Sequence, residues 1–301
     1  MLSILIPIYN INCAGLVEDL ILQCKEISIE FEVICIDDHS KDQIIRKNEI
    51  LNTIPNIRYH KLTENIGRAR IRNLLAEKAK YEYLLFLDAD SGIIRNDFIS
   101  KYIEYAKNMK VIYGGTRYSF TVPGSKNKML HWKYASKYEA LEVAERNAKP
   151  YLAFMSNNFL IDRKIFNSIL FDNMHSGYGY EDTLFAEELK KIGVVIYHID
   201  NPVEHTGLSD SDSFLVKTNE AMKNLARLYL LGKMPETVLI NFYRYLKKNN
   251  IDQILSFMIR LFLPIINYNL KSGFPILVFF QLYKYYYFHK NLKINKINNV
   301  G

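Results

Sequence analysis

The chain lacks the features that mark several common protein classes. It has three cysteines, Cys13, Cys24 and Cys35, an odd number with no Cys-x-x-Cys pair. That argues against a disulfide framework or a cysteine-rich zinc site and fits reduced thiols in a cytosolic protein. No Gly-x-Gly-x-x-Gly follows the first apolar run, which disfavours a dinucleotide oxidoreductase. A sugar-phosphate nucleotidyltransferase needs a glycine-rich basic loop there, and Tyr9-Asn10-Ile11-Asn12 occupies that place instead. Met1-Leu2-Ser3-Ile4-Leu5-Ile6-Pro7 has no basic n-region and no small-residue cleavage site, so a strand is expected rather than a signal peptide. No internal repeat is visible. The longest charge-free stretches of the tail, 261–270 and 272–283, fall short of the roughly 20 residues of a bilayer span.

Hydrophobic residues make up 49% of the 301, enough for a substantial core and too many for a disordered chain. The net charge of +7 is unevenly placed. Residues 244–301 hold nine Lys or Arg and one acid, Asp252, so the remainder is close to neutral. Those basic residues stand among Leu, Ile and twelve aromatics. The mixture points to an anionic membrane surface or a protein partner, not to nucleic acid. We expect a main domain over 1–210 and a helical, aromatic and basic region over 211–301. Amphipathic helices over 251–289 then pack on the body or a dimer partner, or touch a membrane surface through 251–296.

Along the first 90 residues, apolar strands alternate with helical spacing. Strands are expected at 2–9, 31–36, 57–60 and 83–87, with helices at 15–27, 41–52 and 67–80 between them. Such a β-α-β-α-β-α-β order predicts an α/β fold, a mostly parallel sheet with flanking helices. Further on, the spacing predicts helices over 98–107, 131–146, 182–191, 212–231 and 236–248. Strands are expected over 111–120, broken at Gly114-Gly115, and at 159–161 and 194–198. Ligands of these sheets gather beyond the carboxyl ends of the strands.

Asp88-Ala89-Asp90 stands at such an end, after Leu84-Leu85-Phe86-Leu87. Two carboxylates one residue apart can share Mn2+ or Mg2+, which prefers oxygen ligands and also takes phosphate oxygens. Read blandly, they are solvated acids in a turn. Pro7, Tyr9 and Asn10 end the first strand and Asp37-Asp38 ends the second. An Asp there can accept from a nucleobase N–H while a Tyr stacks on the base; helix-capping chemistry explains the same residues. Gly67 allows close backbone approach, and Arg68 and Arg72, one helical turn apart, can both face a phosphate or form a solvated basic face. In Gly177-Tyr178-Gly179-Tyr180-Glu181-Asp182, a glycine-aromatic loop opens a helix with two acids. Asp182 reads as a general base or as an ordinary favourable charge at a helix start, and the two tyrosines as platforms for a sugar ring. His205 follows a strand and precedes Gly207, within reach of the metal as a third ligand, or is merely exposed. Asn157-Asn158 binds sugar hydroxyls or satisfies local backbone.

Together these motifs resemble the inverting glycosyltransferases of family 2, which have the Rossmann-like GT-A fold. The resemblance runs from Ser3 to about Gly207. It rests on Ser3-Ile4-Leu5-Ile6-Pro7-Ile8-Tyr9-Asn10, Glu32 to Ser40, Asn65-Ile66-Gly67 with Ala69-Arg70 and Arg72-Asn73, Leu85 to Asp90, and Gly179-Tyr180-Glu181-Asp182. It implies a UDP-sugar donor and inversion by direct displacement; the acceptor expected is a glycan or, given the basic aromatic tail, a lipid-linked one. Asp38 and Tyr9 are then at the nucleobase, Asp90 holds the metal with Asp88 nearby, and Asp182 is the base supported by Glu181. Cell-surface glycan synthesis at the cytoplasmic face of the membrane is the expected setting. A protein that kept this fold and binds nucleotide sugar or carbohydrate without turnover is the alternative.

Overall fold

The computed structural model describes residues 1–173, 178–233 and 237–298. The chain begins Leu2–Ile8 (β1), Ala14–Glu26 (α1), Phe31–Asp37 (β2), Asp42–Asn48 (α2), Ile57–Lys61 (β3), Arg68–Lys78 (α3) and Tyr83–Leu87 (β4). Ser91–Ile93 (β5), Phe98–Ala106 (α4), Val111–Tyr113 (β6), Thr116–Arg117 (β7), Met129–Tyr138 (α5) and Val143–Ala148 (α6) follow. Next come Asn158–Asp162 (β8), Arg163–Ile169 (α7), Glu181–Lys191 (α8), Tyr197–His198 (β9) and Val203–His205 (β10). The chain closes with Ser211–Leu230 (α9), Val238–Lys248 (α10), Asp252–Leu270 (α11) and Leu277–Asn298 (α12).

These elements form two units. The first comprises 1–119, 139–175 and 181–207; the second, 120–138, 176–180 and 208–301. A single border near 210 is expected; here two earlier segments, 120–138 and 176–180, group with 208–301.

The first unit holds a seven-stranded sheet in the order β3-β2-β1-β4-β8-β6-β9. β3, β2, β1 and β4 are parallel, and β8 runs antiparallel between β4 and β6. Strands buried on both faces must be apolar at every position, which is why β1, β2 and β4 read as continuous runs. Their side chains still alternate. Ile4, Ile6, Val33 and Leu85 join the α1–α4 side of the core, with Leu20 and Tyr102. Leu5, Ile34, Leu84 and Phe86 join the other, with Leu75 of α3, Phe166 of α7 and Phe185 of α8. A second sheet, β5-β10-β7, is three short strands.

Two expectations need correction. The helix expected over 131–146 is α5 and α6, which lie in different units. Between them Glu139 hydrogen-bonds to the Tyr118 hydroxyl, and a capping box of Glu142 and Glu145 starts α6 afresh. The strand expected over 111–120 breaks at Gly114-Gly115 as expected, into β6 and β7, but ends at Arg117 and not at 120. Gly114 still donates to the Asn158 carbonyl, and its own carbonyl accepts from Asn201, before Gly115 turns at φ 98°.

The second unit is helical. Leu215, Met222 and Leu225 of α9 pack with Ile240 and Tyr243 of α10, Ile259 and Ile266 of α11, and Phe280, Tyr285 and Phe288 of α12. Among the described residues α11 is the one helix long and apolar enough to cross a membrane, and only 22% of it is buried. Glu236, expected to open α10, lies outside the described residues.

Candidate active site

β2, β1 and β4 are neighbours in the sheet, so the segments leaving their carboxyl ends meet. Pro7 stays in β1 opposite Ile36, and Tyr9 beyond it is 56% exposed, open to a stacking partner. Asn10, at φ 57°, donates its N–H to Ser40 Oγ (2.7 Å) and accepts from the Lys41 N–H (2.9 Å), which ties the two strand exits together. Asp37 turns inward to Ser40 N–H and the Tyr59 hydroxyl.

Asp38 is buried. Its Oδ1 accepts the Ile66 N–H (2.7 Å) and its Oδ2 the Gly67 N–H (3.0 Å), while its carbonyl accepts from the Asn65 amide (3.0 Å). Burial raises its pKa although the two N–H groups pull the other way. Besides standing where a nucleobase is expected, Asp38 therefore fixes the segment that starts α3. Gly67 caps that helix at φ 83°.

Arg68 opens α3 and Arg72 follows one turn later. They do not share an outer face. The Arg68 guanidinium, 41% exposed, bridges Asp88 Oδ2 (3.3 Å) and Glu181 Oε1 (2.9 Å). Arg72 is 1% exposed, with one nitrogen on Asp88 Oδ1 (2.5 Å), another on the Arg68 carbonyl (3.1 Å), and Nε without a partner. The sheet-facing side of α3 carries Arg72 inward, so of the two only Arg68 is open to a phosphate.

The expected metal trio also divides. Among the described residues no three His, Cys, Asp or Glu side chains group as a metal site. Asp88 is held between two guanidinium groups, whose charge competes with a cation for its oxygens. Asp90 instead faces His205, Oδ1 to Nδ1 at 3.4 Å. Burial pulls the Asp90 carboxyl up, but the His205 contact and the Arg68 charge outweigh it and hold it low. Burial pulls His205 down, and Asp90, Asp88 and Glu139 raise it above its ordinary value. Thr206 N–H and Oγ1 both donate to the Asp90 carbonyl, fixing the two loops together. A Cβ on Gly207 would stand 2.5 Å from Asp90 Oδ2, so this close approach needs glycine. One carboxylate and one imidazole fit Mn2+ or Mg2+ that takes its remaining oxygens from a bound diphosphate.

Glu181 and Asp182 open α8, and Gly177 before them lies outside the described residues. Ser156 Oγ donates to Asp182 Oδ1 (2.6 Å). Burial and the neighbouring Glu181 charge raise the Asp182 pKa, against Arg72, Arg68 and Ser156. Glu181 is buried, with Oε1 on Arg68 and Oε2 unpartnered. Arg68 thus joins the acids of α8 to the Asp-x-Asp segment. Tyr178 and Tyr180 belong to the second unit. There Tyr180 packs on the helical cluster, and the Tyr178 carbonyl accepts from Asn224.

Asn158 does not reach outward. It is fully buried, donates to the Gly115 and Asn201 carbonyls, and accepts from Tyr102. Asn157 donates to Thr116, and its Oδ1 has no partner. Sequence reasoning missed Ser156, which carries no motif, and Tyr118, whose ring lies 5.3 Å from that of His205.

Solved structures share this architecture. A mannosyltransferase from Pyrobaculum calidifontis, PcManGT, in complex with GDP-Man and Mn2+, aligns at TM-score 0.53 and 16% identity over 76% of this chain and 64% of its own. Residues 1–349 of S. aureus TarS align at TM-score 0.50 and 15% identity over 99% of this chain and 91% of that one. The fold is that of the GT-A glycosyltransferases. The sequence profile of glycosyl transferase family 2 matches residues 3–170, and the chain belongs to that family. An uncharacterised glycosyltransferase of Haemophilus influenzae is 28% identical over 196 residues, 64% of this chain and 73% of the relative. One from Rickettsia felis is 34% identical over 119 residues, and the match spans only 19% of its length.

Proposed function

We propose that the chain moves a sugar from a nucleotide diphosphate donor, a UDP-sugar, to an acceptor hydroxyl with inversion, in cell-surface glycan synthesis. The Asp182 carboxyl carries this reading. A general base works best with a pKa nearer the working pH than that of a free carboxylate, and burial beside Glu181 moves Asp182 in that direction. Ser156 holds Oδ1, and Oδ2 makes no hydrogen bond among the described residues. In this reading that oxygen takes the acceptor proton as the hydroxyl oxygen attacks the anomeric carbon. The bond to the diphosphate breaks on the opposite face, which inverts the centre.

Arg68, the exposed cation beside Asp88, receives the diphosphate, and Tyr9 stacks on the base next to Asp38. Asp90 and His205 would hold Mn2+ or Mg2+, which offsets charge on a departing diphosphate. The acceptor is a glycan or a lipid-linked sugar at the cytoplasmic face of the membrane. A thermal-shift screen of nucleotide sugars with Mn2+ finds the donor, and release of its nucleoside diphosphate with candidate acceptors tests transfer. Donor binding without release for any acceptor would leave a sugar-binding protein of the same fold.

A further inference from the structure

The second unit leaves one long apolar face uncovered. α11 buries Ser256, Ile259, Ile266 and Leu270 against its neighbours. Its other side exposes Ile254, Phe257, Leu261, Phe262, Ile265 and Tyr268, each by half or more. Their spacing of three, four and seven residues makes one continuous stripe along the helix. A stripe of large side chains this long marks an interaction surface.

The charge around it selects the occupant. Asp252, the one acid of residues 244–301, is turned inward to His289 Nε2 (3.3 Å) and is largely buried. Arg244 and Lys248 on α10 and Arg260 on α11 are exposed and form no ion pair among the described residues. Along α10 and α11 the exposed side chains thus include unpaired cations and no unpaired acid. A second copy meeting it through the same face would bring the same cations together. An anionic lipid surface complements both the stripe and the charge.

We propose that α11 lies in the plane of an anionic bilayer, with its exposed stripe in the acyl boundary and Arg244, Lys248 and Arg260 at the lipid phosphates. The helix does not span. Its 19 residues, about 28 Å at ~1.5 Å per residue, carry Arg260 near the middle and Pro264 after it, and its inner side is packed into the helical cluster. The sequence pointed to 251–296, and within it the stripe on α11 is a run of exposed large apolar side chains at helical spacing. The aromatic α12 is spent internally, with Phe280, Tyr285 and Phe288 in the core.

Co-sedimentation of the full chain with phosphatidylcholine vesicles, with and without 30–40% (roughly) phosphatidylglycerol, tests this. Binding is expected on the anionic vesicles, at least about tenfold weaker on neutral ones, and weakened by salt. Replacing Phe257, Leu261 and Phe262 by Ser should reduce anionic binding at least about tenfold with the thermal midpoint retained, since all three are exposed. A charge variant, R244Q/K248Q/R260Q, should lose the preference for anionic lipid. Absence of binding to anionic vesicles would overturn the proposal. So would unchanged binding by the Ser variant, or a wild-type dimer that the Ser substitutions dissociate while vesicles stay unbound.

Discussion

Arg72→Met separates the two arginines of α3. The guanidinium it removes is 1% exposed and holds Asp88 Oδ1 at 2.5 Å and the Arg68 carbonyl at 3.1 Å. Methionine keeps most of the volume, so the cost is the abandoned charge and not a cavity. Removing one partner of a buried ion pair costs about 3–5 kcal/mol. Asp88 is 20% exposed and keeps Arg68 at 3.3 Å, which places the loss at the lower end, about 3 kcal/mol. Neutralising the stranded acid should recover most of it, so Arg72→Met with Asp88→Asn should lie only about 1 kcal/mol below wild type. Arg68→Met abandons Asp88 and also the buried Glu181 carboxyl, so it too should cost about 3 kcal/mol, and unlike the Arg72 variants it should raise the donor KM roughly tenfold. Urea unfolding followed by circular dichroism reads all three. A single Arg72 variant within 1 kcal/mol (about) of wild type, or a double variant less stable than the single, would refute the buried-pair argument.

Gly114→Ala places a Cβ 2.4 Å from the Asn201 carbonyl and the Tyr102 hydroxyl, so stability should fall by about 3 kcal/mol in the same titration. The raised Asp182 pKa means that the fold favours its protonated form; this group's stabilisation is greatest below its unfolded pKa and lost as pH rises through the folded one. Asp182→Asn should therefore raise the thermal midpoint at neutral pH, and a lowered midpoint would count against the sign. In wild type, kcat/KM should climb with pH on an acid limb centred above that of an ordinary aspartate. EDTA should stop transfer and Mn2+ or Mg2+ restore it; full activity in EDTA would remove the metal from the account.

The parallel half of the fold was readable because strands buried on both faces leave unbroken apolar runs, as in Leu84 to Leu87. β8 was readable as a strand, but its antiparallel place between β4 and β6 depends on long-range pairing. The β5-β10-β7 sheet escaped notice because two or three residues carry no periodicity. At the site, residue types at strand ends were legible and their partners were not. Helical spacing put Arg68 and Arg72 on one face, and only the packing of α3 on the sheet shows that one of them is buried. Spacing alone does not distinguish Asp88 from Asp90, and the family resemblance only ranks them; their neighbours, two arginines for one and a histidine for the other, are a matter of packing.

The division of labour between these acids and Asp182 is the central claim. Its most direct test is sugar transfer by Asp182→Asn beside donor binding by the same protein, with Mn2+ present. Transfer should fall by roughly 10²–10⁴-fold, the usual contribution of a general base, while the donor Kd stays within about twofold. Transfer at the wild-type rate would contradict the account.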